Sequence, residues 1–182
     1  MRMLYKVEVI NKEFLDQVQK SVKKLKLRED IYVEGYMVSL LSKFLKKEAD
    51  VSTDEPLIYR LVKSKRLEDY VKLGDDILFI TGFFPEVVER KKEKKYAISI
   101  GRGSYGQAAV ILNYEGEGHV YNVLSKKFES YSDLINSIRY DMLELIDDKA
   151  FFEIYKTARD YKNPRASEKL KKTGTLTKKD IT

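Results

Sequence analysis

A chain of 182 residues, 43% of them hydrophobic, can build one ordinary domain with a real core. The absence of cysteine excludes disulfides and thiolate metal sites, and the single histidine, His119, excludes a multi-histidine metal centre or a histidine dyad. Six basic against two acidic side chains from Asn163 onward place +4 of the +6 net charge in the C-terminal stretch, so the body carries only +2 and is no broad polyanion surface.

Charged residues reach 35% with both signs mixed, which fits a thermophile-like surface of ion-pair networks. Residues 1–10 hold Arg2, Lys6 and Glu8 and lack the apolar core of a signal peptide. The longest apolar run, residues 77–88, is interrupted by Thr81 and Glu86 and is too short to span a bilayer. The expectation is a soluble, cytoplasmic protein with a helical domain over residues 1–162 and a flexible basic tail over 163–182. A carboxylate-only magnesium site stays open, but no cofactor or metal is implied.

Residues 3–10 alternate, with Tyr5, Val7 and Val9 on one side, which permits a short N-terminal strand almost as readily as a helix start. Phe14, Leu15, Val18, Val22 and Leu25 then recur at helical spacing, and so do Met37, Leu40, Leu41, Phe44 and Leu45. Residues 51–56 (VSTDEP) read as a helix start, with capping side chains before a proline, and open a helix carrying Ile58, Leu61 and Val62. Gly74 and Asp75 read as a reset, with Asp75 capping a new helix that runs to Phe84; Pro85 then suits the first turn of the next.

Residues 89–95 are a charged, solvent-facing end, 113–118 (NYEGEG) a loop, and 119–128 ambiguous. Helices are predicted from the Ser130–Asp133 cap through Leu134, Ile135, Ile138 and Met142, and again over Phe151 to Tyr161, ending at Asn163-Pro164. Six to eight helices in succession predict an all-α single-domain bundle.

The glycines of GRGSYG, Gly101, Gly103 and Gly106, spell G-x-G-x-x-G, preceded by a strand-like YAISI and followed by QAAVIL. A dinucleotide turn needs that order, with glycines admitting a pyrophosphate to a helix N-terminus. It also needs further strand–helix units and an acid about 20 residues on; the only candidate strand, residues 119–124, ends in Ser125-Lys126-Lys127. The same residues fit one helix from Tyr96 to Leu112. Ala97, Gly101, Ser104 and Ala108 then form a stripe of small side chains at spacings of four, three and four, a seam for a neighbouring helix. Three helical glycines cost roughly 3 kcal/mol against alanine, so close packing must compensate.

Residues 73–112 resemble a conserved prokaryotic family of helical proteins with no established activity, carrying a leucine-glycine-aspartate opening, a GFFP box and a tyrosine-rich helix ending in a glycine and an A-Y-G-like triplet. The matching residues are Leu73, Gly74, Asp75, Leu78, Phe79, Gly82, Phe83, Phe84, Pro85, Tyr96, Ile98, Gly101, Tyr105 and Gly106, with Ser104 where that family has alanine. The resemblance implies a mainly helical protein and carries over no catalytic residue.

Several side chains remain as binding candidates. Arg102 interrupts an apolar stripe of Ile98, Tyr105, Ala109 and Leu112; if buried it needs an anion, from Asp75, Asp76, Glu86 or a ligand. Arg102, Tyr105 and Glu86, with Asp75, are therefore the candidate binding residues for an anionic ligand in the 82–106 region. Against this, Phe83 and Phe84 read as core, Asp75 as a cap, and His119 as an exposed loop residue. The leading expectation is a non-enzymatic module that binds a protein partner or a second copy of itself; the alternatives are an anionic-ligand binder or enzyme, and a nucleic-acid binder using the basic tail.

Overall fold

The computed structural model describes residues 2–45, 56–88, 91–113 and 116–143. Among the described residues every regular element is helical: α1 (Arg2–Lys24), α2 (Ile31–Leu45), α3 (Leu57–Lys63), α4 (Leu67–Phe83), α5 (Lys91–Ile111), α6 (Glu117–Lys126) and α7 (Phe128–Leu143), with a 3₁₀ turn over Pro85–Val88. The fold class is all-α. The VSTD capping turn, the helix expected over 151–161 and the basic tail lie outside the described residues.

Residues 3–10, where alternation permitted a strand, belong to α1. A lone strand in an all-helical chain has no ladder partner, whereas a helix satisfies its backbone locally. Phe14, Val18 and Val22 of this helix are buried. Lys26 ends it in the left-handed region at φ 53, and the Leu27 amide reaches the Val22 carbonyl at 2.9 Å, the usual arrangement for closing a helix C-terminus. Asp30 then caps α2: its Oδ1 accepts from the amides of Tyr32 at 3.1 Å and Val33 at 3.3 Å.

The expected reset at Gly74-Asp75 does not occur. α4 runs unbroken through both residues, so Asp75 is a mid-helix side chain and caps nothing. The helix starts earlier, where Asp69 Oδ2 accepts from the amides of Lys65 and Arg66. Gly74 serves close approach instead of termination: a Cβ there would lie 2.7 Å from Cε1 of the Tyr105 ring. At the other end Gly82 lies against α7, where a Cβ would come within 2.6 Å of Ile135 Cβ and 2.9 Å of the Ser132 carbonyl.

α4 is the centre of the molecule, packed on α2, α3, α5 and α7. Phe79 stacks on Phe44 at 4.3 Å and on Phe83 at 5.1 Å, and Phe84 meets both Phe79 and Phe83 edge-on. The GFFP box is therefore core around a helix end, with Phe83 and Phe84 buried. Asp76, also fully buried, is paired with Arg60 of α3 at 2.6 Å and with Lys72 at 3.5 Å, which ties the short α3 to the central helix.

Candidate functional site

The glycine motif lies inside α5, a continuous helix, and so cannot form a strand-to-helix phosphate turn. Its glycines differ from one another. A Cβ on Gly101 would meet the Phe128 ring at 2.5 Å and Ile77 Cγ2 at 3.2 Å, whereas one on Gly103 would meet nothing within 4 Å. Ala97, Gly101, Ser104 and Ala108 are all buried, and Ser104 Oγ turns its hydroxyl back to the Ile100 carbonyl at 2.8 Å. The stripe is buried within the chain itself, and the groups that meet Gly101 come from α4 and α7.

The structure separates the four binding candidates. Arg102 is exposed and meets no carboxylate among the described residues; its Nε donates to the Ser125 carbonyl at 3.2 Å, while Ser125 Oγ donates to the Arg102 carbonyl at 2.8 Å. An arginine on the outer face of α5 keeps its charge in water and needs no buried anion. Glu86 pairs with Arg139 of α7 at 2.9 Å, and Arg139 also donates to the Phe83 carbonyl at 3.3 Å. Only Tyr105 and Asp75 come together, at 2.8 Å.

Asp75 is the centre of an unforeseen network. Its Oδ1 accepts from the hydroxyls of Tyr36 at 2.5 Å and Tyr105 at 2.8 Å, reaching α2 on one side and α5 on the other. Burial pushes its pKa up to about 6; the two hydroxyls pull against that, neighbouring Asp76 adds to it, and Lys43 opposes it. Burial and the Asp75 charge raise both tyrosine pKa values well above the ordinary phenol range, so both rings stay protonated donors. Tyr121 of α6 completes the cluster, stacked on Tyr105 at 5.9 Å and edge-on to Tyr36 at 5.5 Å.

Beside this network a cleft of about 670 Å³ opens between α2 and the start of α6, lined by Tyr32, Tyr36, Gly116, His119, Val120 and Tyr121. Tyr32 and Tyr36 lie one turn apart on α2 and so share its face. His119 is a half-exposed helical residue, not the exposed loop residue read from the sequence, and its Nε2 lies 2.6 Å from Asp30 Oδ2. Burial opposes ionisation of Asp30, but the His119 bond and the amides of Val33 and Tyr32 outweigh it and hold the pKa below its usual value. An ionised carboxylate only accepts, so Nε2 carries the proton, and in the neutral ring Nδ1 is an acceptor.

An aromatic cleft of this size with few polar groups is what small organic ligands occupy. Tyr32, Tyr36, His119 and Tyr121 were missed as site residues because their partners come from three separate elements; the one sequence signal was the pair of tyrosines four apart on α2. No family model, curated protein or solved structure matches the chain. No helix among the described residues is long and apolar enough to cross a membrane.

Proposed function

We propose that this protein is a small-molecule-binding module whose ligand enters the cleft between α2 and α6. The observation that carries this reading is the cleft itself: about 670 Å³, walled by three tyrosines, one of which is anchored to a buried carboxylate. Anchoring Tyr36 to Asp75 fixes one wall before any ligand arrives, which lowers the ordering cost of binding. The reading is one of binding: the described lining is largely aromatic, with His119 as its one titratable group besides the tyrosines. The anionic-ligand reading of residues 82–106 has no support in the geometry, since Arg102 and Glu86 make separate contacts elsewhere.

A thermal-shift screen of a metabolite library, repeated on Tyr121→Ala, tests the proposal. A hit whose shift disappears in the variant supports it. Hits that persist unchanged in Tyr121→Ala would place binding elsewhere and remove the cleft from consideration.

A second reading, a protein-partner or self-association module, draws on α3, where Ile58, Tyr59 and Val62 are exposed. The small-residue stripe of α5 lends it nothing, because that stripe is filled from within the chain. Light scattering over a range of concentrations tests the self-association form. An oligomer that Val62→Glu dissolves would favour it; a monomer throughout would exclude it.

A further inference from the structure

The cleft's chemistry points to one ligand class. Among the described residues that line the cleft there is no lysine or arginine, and three are tyrosines. Tyr36 and Tyr121 meet at 85°, so their rings form a corner, and Tyr32 adds a third aromatic surface from the same face of α2. Two of the wall residues are hydrogen-bonded to a carboxylate: Tyr36 to Asp75 and His119 to Asp30. A phenol that donates to a carboxylate gains electron density, and its ring face becomes a better seat for a cation. In its neutral form the His119 ring, bonded to Asp30 through Nε2, offers Nδ1 as an acceptor for an N–H donor.

Resting on the reading of the cleft as a ligand site, we propose that its ligand is a small organic cation, an ammonium group carried on an apolar or aromatic body. The ammonium sits in the Tyr36–Tyr121 corner, and the body lies along Tyr32 and Val120. A cleft of about 670 Å³ has room for both parts, and more room than a bare methylated ammonium needs.

The test is calorimetric titration of the full chain with three probes that share one body: 2-phenylethylammonium, 2-phenylethanol and 3-phenylpropionate. The expected result is the cation binding about tenfold or more tightly than the alcohol, with the carboxylate weakest. Tyr32→Leu changes an exposed side chain that is no part of the core, and it should weaken the cation severalfold while circular dichroism stays unchanged. Tyr121→Phe should retain binding and Tyr121→Leu should lose it. Equal affinity for the alcohol would overturn the cation class and leave the cleft standing as a site. Tighter binding of the carboxylate, or no heat from any probe at millimolar concentration, would overturn it as well. Cation binding that survives both Tyr32→Leu and Tyr121→Leu would show that it lies outside the cleft. A trimethyllysine peptide that binds more tightly than the free amine would move the cation onto a protein and overturn the small-molecule form.

Discussion

Along α5, Gly101 lies so close to Phe128 that even a methyl group has no room, and Gly82 of α4 meets the backbone of α7 in the same way. Where α2 faces α6, long aromatic side chains stand between the helices, and a cleft of about 670 Å³ is left. Both regions lie between neighbouring helices of one bundle. Helices close on each other where side chains vanish and are held apart where rigid rings stand between them. The tight region holds the molecule together, and the propped region leaves the cleft proposed as the ligand site.

The largest expected effect comes from breaking the tight side. Gly82→Leu and Gly101→Leu should each destabilise by about 3 kcal/mol or more in chemical denaturation, because the colliding groups are backbone and buried ring. A loss below about 1 kcal/mol would mean that the helices separate easily and that the contrast with the cleft is false.

Next in size is the carboxylate that joins the two regions. The folded pKa of Asp75 is about 6 against an ordinary 3.8, so the folded state holds the proton more tightly. Its contribution to stability is therefore full below pH 4 and is lost as pH rises through about 6. Asp75→Asn keeps an acceptor for both tyrosine hydroxyls and removes the buried charge. It should flatten stability between pH 4 and 6 and raise it above pH 6, by up to roughly 3 kcal/mol. An unchanged pH profile would refute the buried-charge account.

Asp30 has the opposite sign. Its lowered pKa means stability present above pH 3.8 and lost as acid protonates the carboxylate. Asp30→Ala should cost about 1 kcal/mol through the lost cap of α2 and should release the hydrogen bond to His119 Nε2, visible as a moved histidine ring signal by NMR. Tyr121→Ala opens the cleft further and should abolish ligand binding while costing about 1 kcal/mol or more, since its ring contacts with Tyr36 and Tyr105 are lost. The smallest effect sharpens the comparison within a single motif: Gly103→Ala, in open space on α5, should stabilise by up to about 1 kcal/mol. If Gly103→Ala destabilised instead, the sorting of these glycines by contact would be wrong.

Helical periodicity by itself determined the class of fold and most of the core. Phe14, Val18, Val22, Met37, Leu40, Leu41, Leu134, Ile135 and Ile138 all read as buried from spacing and are buried. That works because a 3.6-residue repeat is a local property of the chain. The same reasoning failed at Gly74-Asp75, since a glycine that ends a helix and one that admits a neighbour's ring are identical in sequence. It also failed for Arg102, whose exposure depended on which face of α5 the other helices covered.

Only the tertiary structure decided that Tyr36, Asp75 and Tyr105 share hydrogen bonds across sequence separations of 30 and 39 residues, and that His119 meets Asp30 across 89. The physical reason is range. Propensity and patterning act over a few residues, whereas a hydrogen-bonded cluster and a cleft exist only after distant helices have packed, and their partners carry no fixed spacing along the chain.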